Sequence, residues 1–348
     1  MLPKTLFLAR GGGAAGWYRC ALPAMALGLE WLGVQNDPPA LDFVTGLTRE
    51  RLSPADLETY DVLVIQQPSG TAWTREIRRL QAAGVKVVFE IDDYVQAVRK
   101  MADHEFGHHF NKDVVRTYEL NMKLADALIC STDFLAERYR AFNPRTWVCR
   151  NGIDLGRYAL TRPARETVNI GWAGGTGHRD AAQPWLDVVA ELLREHPHVR
   201  FTSIGLRIAG ELQEEFGKER VLSLPFAPFE TYPAAMTLFD IAIAPAGRNN
   251  FFRGKSDLRW LEASALATPL VADPLVYPEI QSGVTGFHAS TADEVREHLS
   301  ALVADAGLRR RVGEAAKAYV SEHRTIYQTV ADWATALQSV GSTAARAA

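Results

Sequence analysis

Cysteine is scarce in this chain: Cys20, Cys130 and Cys149 are the only three in 348 residues. Their odd number and wide spacing exclude a disulfide framework and supply no thiolate set for zinc. That usage fits a reducing compartment, so a cytoplasmic protein is expected. Long apolar runs are also missing. No stretch approaches the ~20 apolar residues of a membrane span, and the run between Met1 and Ala9 is too short for a signal peptide. Charge of one sign is absent: 38 Lys and Arg against 41 Asp and Glu leave a net −3, which argues against a general nucleic-acid binder. Arg309-Arg310-Arg311 is a local basic patch, either a solvated helix face or a peripheral contact for anionic lipid. Low complexity is confined to the small-residue tail after Ser339. What remains is ordinary globular material, 47% apolar and 23% charged, long enough for two domains.

Strands and helices alternate twice along the chain. Thr5-Leu6-Phe7-Leu8-Ala9 reads as a buried parallel strand, followed by a glycine run from Gly11 to Gly16 and a helix from about Trp17 to Leu32. Gly11, Gly13 and Gly16 match the dinucleotide fingerprint in form only. The run is rich in Gly and Ala throughout, and the next strand, Leu41 to Gly46, ends without the acid that fingerprint wants. The run is better read as a loop that lets a ligand approach the backbone. Further strands are read at Asp61–Gln66, Lys86–Ile91, Ala127–Cys130 and Trp147–Cys149, with helices at Ala72–Ala83, between about Phe106 and Ala125, and at Phe134–Phe142. A polar segment from Leu160 to Glu166 looks like a linker, and the alternation then restarts at Val168. Strands follow at Val199–Ile204, Val221–Leu224, Ile241–Ala244 and Pro269–Ala272, and a last amphipathic helix runs from Ile326 to Leu337. The pattern predicts an α/β chain of two Rossmann-like, doubly wound domains facing across a cleft. The expected domains are residues 1–158 and 166–322, with a final helix at 324–340 packing back on the first.

The most informative stretch is Arg253-Gly254-Lys255-Ser256-Asp257-Leu258-Arg259-Trp260-Leu261-Glu262. It follows a polar loop, Ala246 to Phe252, and is read as entering a helix from Ser256 to Ala267. Lysine at a helix start and arginine one turn further in oppose the helix dipole, and make sense with an anion among them. Glu262, seven positions after Lys255, is expected on the same face. Cations for phosphate and a carboxylate for paired hydroxyls suit a nucleotide sugar; a helix with a solvated charged face is the alternative.

Four stretches in order resemble the GT-B glycosyltransferases, and within them the large retaining group called family 4. These are Val148 to Asp154, which resembles the crossing out of the N-terminal domain; Ile170 to His178, similar to the first strand and glycine turn of the donor domain; Lys255 to Pro269; and Glu279 to Phe287. Gly16-Trp17-Tyr18-Arg19 and Glu90-Ile91-Asp92-Asp93 resemble stretches of poorly characterised members.

The resemblance implies a nucleoside-diphosphate sugar as donor, bound mainly by the C-terminal half, and no cofactor. Lys255 with Arg253 or Arg259 would clamp the diphosphate, Glu262 would accept from the ribose hydroxyls, and Gly175, Thr176 and His178 would line the phosphate turn. Gly12 and Gly13 would face the donor from the first glycine loop, and Phe226 would stack on the base or belong to the core. The expected catalytic residues are Lys255, Asp92 and His109. The acid pair after Glu90, and the cluster His104, His108 and His109, could also be read as metal ligands, but no metal is expected. One departure from the family stands out. Its paired-glutamate motif would put the first glutamate eight positions before Glu262, where this chain has Gly254, leaving that task to Asn249, Asn250, Asp257 or backbone amides. The acceptor is left open between glycan, lipid, protein and modified nucleobase. A nucleotide-sugar epimerase and a non-catalytic binding protein remain alternatives.

Overall fold

A computed structural model describes residues 1–11, 13–34, 38, 42–45, 48–51, 53–98, 111–162 and 165–342. Two sheets carry the chain. The first comprises β1 (Thr5–Arg10), β2 (Glu30–Val34), β3 (Asp42–Thr45), β4 (Thr48–Arg51), β5 (Val62–Gln66), β6 (Lys86–Ile91), β7 (Ala127–Cys130) and β8 (Thr146–Val148). Their order is β4-β3-β2-β1-β5-β6-β7-β8, parallel except where β3 and β4 add an antiparallel edge. The second comprises β9 (Val168–Gly174), β10 (Val199–Gly205), β11 (Val221–Leu224), β12 (Ile241–Ala244), β13 (Leu270–Ala272) and β14 (Phe287–His288), all parallel, in the order β11-β10-β9-β12-β13-β14. The central strands are apolar without alternation because helices cover both faces: every residue of β5 and of β12 is buried.

In both sheets strand order reverses beside the first strand, between β1 and β5 and between β9 and β12. Loops leaving neighbouring strands there diverge to opposite faces and open a crevice at the carboxyl ends. The expected two-sheet α/β architecture is therefore present, and several local expectations need correction. The helix expected from Trp17 to Leu32 is α-helical over Ala14–Gly16, π-helical over Trp17–Ala21 and α-helical again over Leu22–Ala26. Gly28, at φ +67°, turns the chain out of it, and the apolar residues that follow form β2, so the strand near Leu41 is a hairpin partner and not the second parallel strand. The polar loop before Lys255 contains a short helix, Asn250–Arg253, capped by the Asn249 side chain, and the next helix begins only at Leu258. The long helix expected from Phe106 is described as Lys112–Leu124.

The halves are joined by two passes of chain that pair with each other. Ile153 N donates to Arg324 O at 2.9 Å, and Ile326 N donates to Ile153 O at 3.0 Å. Between them Gly152 admits no side chain, since a Cβ would stand 2.3 Å from Thr329 Oγ1 and 2.6 Å from Ile326 Cα. The final helix, Ile326–Ser342, then lies on the first sheet. Its Trp333 is buried among Phe7, Cys20 and Ala24, with ring centroids 5.7 Å apart for the Phe7 pair. Tyr18, Leu22 and Val98 of the first half share one apolar cluster with Phe252, Trp260 and Leu261 of the second, so the cleft floor is a common core.

Candidate functional site

The carboxyl ends of the two sheets enclose a cavity of ≈ 210 Å³ between the halves. Asp92 and Asp93 reach it from the end of β6, His178 from the turn after β9, Pro245 from the end of β12, and Lys255 and Arg259 from the segment beyond.

Lys255 does not belong to a helix. It stands in the turn between Asn250–Arg253 and Leu258–Ala265, which removes the helical same-face relation to Glu262. Its Nζ crosses the cleft to Asp93 Oδ1 at 2.6 Å and sits 4.3 Å from the centre of the Phe251 ring. Arg259, on the first turn of the following helix, lies against the ring of Trp172 at 5.8 Å. Its Nη1 is buried and has no hydrogen-bond partner among the described residues. A guanidinium N–H left dry and unpaired is costly, and since Arg259 lines the cavity it is able to receive an anion there. Arg253 is exposed, with its guanidinium 5.5 Å over the Phe134 ring of the first half, and does not line the cavity. Two residues of separation and a helix end send Arg253 and Lys255 in different directions.

The turn after β9 faces the same cavity. Gly174 has no room for a side chain, because a Cβ would stand 2.5 Å from Arg259 Nη2. Gly175 and Gly205 lie under Phe226, whose ring is 3.9 Å and 3.0 Å from their Cβ directions, and Phe226 is 61% exposed. An exposed aromatic ring over two glycines at strand ends, beside the turn after β9, offers a flat apolar platform. The core alternative for Phe226 is excluded by that exposure. His178 packs edge-on against Phe252 at 5.1 Å. Gly13 is exposed at the start of the first helix, with open space at its Cβ position. Gly12, His104, His108 and His109 lie outside the described residues, as does the side chain of Thr176.

Glu262 is placed differently from the expectation. It is 3% exposed and its oxygens accept from three tyrosines: Tyr18 at 3.1 Å, Tyr158 at 3.4 Å and Tyr232 at 3.3 Å. Tyr18 and Tyr158 are themselves 2.7 Å apart. Burial pushes the Glu262 carboxyl up to about 7 against the opposing pull of these hydroxyls and of Arg259. The cage ties Tyr18 and Tyr158 of the first half to Tyr232 and Glu262 of the second, and this geometry does not offer Glu262 to a ribose.

The acid pair is held from behind. Arg19, fully buried on the π-helical turn, donates from Nε to Glu90 at 2.6 Å and from Nη1 to Cys149 O at 2.6 Å and Asn151 Oδ1 at 2.9 Å. Glu90 is pushed up to about 8 by burial, with Arg19 opposing. Asn151 in turn donates to Ser256 Oγ at 2.9 Å, which fixes the Lys255 turn. Gln67 donates to Asp92 Oδ1 at 2.7 Å, and burial together with the neighbouring Asp93 raises the Asp92 carboxyl. Among the described residues no group of three or more His, Cys, Asp or Glu side chains could hold a metal ion.

The sequence reading missed Arg19, Tyr158 and Tyr232 as single residues, and gave Tyr18 no role. Their sequence signals were slight, since each lies far along the chain from the carboxylate it meets. Gly254 has a clear reason. A Cβ there would lie 3.1 Å from Tyr94 Cβ and 3.2 Å from Leu135 Cδ2, so the first half occupies the space a glutamate would need. Two of its proposed substitutes are engaged, since Asn249 caps the helix after it and Asp257 receives two bonds from Arg324 at 2.6 Å and 3.0 Å, whereas Asn250 is exposed.

A model of a glycosyl transferase-like family matches residues 183–335, less than half of the chain. No curated protein matches it in sequence. Among solved structures, HepE of Anabaena in complex with UDP and glucose is similar with a TM-score of 0.67 and 16% identity, over 97% of this chain and 100% of that one. Sucrose-phosphate synthase of Thermosynechococcus elongatus gives 0.71 and 13%, over 97% and 99%. A putative UDP-N-acetylglucosamine 2-epimerase of Listeria monocytogenes gives 0.58 and 11%, over 97% and 96%. At these identities the likeness is one of fold, and the fold is GT-B. No helix among the described residues is long and apolar enough to cross a membrane.

Proposed function

We propose that this chain is a glycosyltransferase that moves a hexose from a nucleoside-diphosphate donor to an acceptor with retention of configuration, and without a metal ion. The observation that carries the reading is the convergence of Lys255, Arg259 with its unpaired Nη1, and His178 of the turn after β9 on one interdomain cavity. The diphosphate would lie across Lys255 and Arg259, with amides of the Gly174–Gly175 turn completing its shell and Phe226 under the base.

As the bond from anomeric carbon to phosphate oxygen breaks, negative charge grows on the leaving diphosphate, and Lys255 and Arg259 stabilise it more than they stabilise the ground state. The same pair supplies the charge that a divalent cation would otherwise supply. Attack on the face the diphosphate leaves, with a departing phosphate oxygen taking the acceptor proton, gives retention and asks little of protein bases. Asp92, braced by Gln67, would accept a hydrogen bond from the acceptor hydroxyl and orient it. Catalysis is then mainly positioning and electrostatics.

Incubation with a panel of nucleotide sugars tests this reading. Slow release of free sugar of unchanged configuration and nucleoside diphosphate, undiminished in chelator, is expected. Epimerised donor would support the epimerase that shares this fold, and saturable binding without turnover would support a binding protein. Loss of turnover in chelator with recovery in manganese would overturn the metal-independent part.

A further inference from the structure

The cleft holds a carboxylate that the scheme above leaves without work. Asp93 Oδ1 is 2.6 Å from Lys255 Nζ, and both side chains are about a quarter to a third exposed, at 30% and 27%. Its main chain is anchored, since Tyr139 OH donates to the Asp93 carbonyl at 2.7 Å. The carboxylate therefore stands at a fixed place on the wall facing the cationic turn.

The other carboxylates that could meet a sugar from the second half are engaged. Glu262 is surrounded by Tyr18, Tyr158 and Tyr232, Asp257 is held by Arg324, and position 254 has no side chain. The acids lining the cavity are Asp92 and Asp93, and Gln67 already braces Asp92. Lys255 and Arg259 give the cavity an anion-receiving side, and Asp93 cannot share a phosphate, because two anions repel. A carboxylate can only accept hydrogen bonds, so the ligand group it can take is a donor, and on a sugar the donors are chiefly hydroxyls.

We propose that Asp93 recognises hydroxyls of the donor's sugar, and that it is made available for this when the diphosphate takes Lys255 from it. The proposal rests on reading the cleft as a nucleotide-sugar site. A single ion pair exposed to this extent is weak. A diphosphate brings more charge and also satisfies Arg259 Nη1, so it wins the exchange. The released carboxylate then faces the part of the donor just beyond the phosphates. The ion pair thus stands where the phosphate contact would form, and sugar recognition comes from the half opposite the diphosphate clamp.

The test is Asp93→Asn, which keeps shape and removes charge. Calorimetry would compare UDP, GDP and ADP with their glucose, galactose, mannose and N-acetylglucosamine esters. In the unsubstituted protein one ester is expected to bind more tightly than its parent diphosphate. In the variant the parent diphosphate should bind about threefold or more tighter, because its competitor for Lys255 is gone. The advantage of the sugar ester over the diphosphate should shrink about tenfold, the scale of one hydrogen bond to a charged acceptor. Gained diphosphate affinity also shows that the variant is folded at the site. Unchanged or weaker diphosphate binding, or an unchanged ester-to-diphosphate ratio, would overturn the proposal while leaving the donor site intact. Failure of the unsubstituted protein to bind any of these nucleotides would overturn the donor-site reading itself, and this inference with it.

Discussion

Lys255→Ala separates what this side chain does for chemistry from what it does for the fold. Its visible partner is Asp93 at 2.6 Å across the cleft, with about a quarter of the lysine side chain exposed. A pair of that exposure contributes roughly 1 kcal/mol or less to stability. The apolar stem leaves Phe251 packed against Phe252, with ring centroids 5.2 Å apart, so no core cavity opens. Thermal unfolding should therefore move by only a few degrees at most. The effect on reaction is of another size. The diphosphate gains charge as the glycosidic bond breaks, and loss of one preorganised charge-stabilising donor in such a place costs about 10²-fold or more in kcat. Arg259 remains, so some turnover should persist. The assay is donor hydrolysis, which needs no acceptor, with kcat and KM measured alongside a melting curve. A kcat within threefold of the parent, in a variant that melts normally, would remove Lys255 from the reaction and the central assignment with it.

Other predictions concern the cage and the joints. Glu262 titrates at about 7 in the folded chain against an ordinary 4.5, so the folded state holds an extra proton between those values. Its contribution to stability is complete below pH 4.5 and declines as pH rises to about 7, by an order of a few kcal/mol. Glu262→Gln should lessen that slope in denaturant titrations between pH 4.5 and 7, leaving the part due to Glu90; an unchanged slope would refute the assignment. Gly254→Glu, which adds the carboxylate that a paired-glutamate motif would place there, should destabilise by about 1–3 kcal/mol and gain no activity, because Tyr94 and Leu135 fill the space. Normal stability with faster hydrolysis would count against it. Trp333→Ala should cost roughly 3–5 kcal/mol by emptying the core shared by the final helix and β1, as read from chemical unfolding. A loss below about 1 kcal/mol would mean that the helix is not docked there.

The two-sheet α/β architecture was legible in the sequence because it follows from local properties. Parallel strands covered on both faces are continuous apolar runs, as in Val62–Gln66 and Ile241–Ala244, and helices of amphipathic period between them leave few ways to pack. Legibility failed where one composition suits two structures. Leu27 to Leu32 is apolar enough to extend a helix or to form β2, and the positive φ of Gly28, a tertiary outcome, decided between them.

Single-site geometry was legible only as residue type. Cations around position 255 called for an anion from the sequence alone, but which of them faces the cleft depends on a helix end between Arg253 and Lys255. Only the folded chain brings Tyr18, Tyr158 and Tyr232 to Glu262, or puts Tyr94 and Leu135 against Gly254. The physical reason is sequence distance. Backbone preference and hydrophobic period act over a few residues and can be read from the string. A carboxylate's partners lie as many as 244 residues away, and are set by how two finished sheets meet.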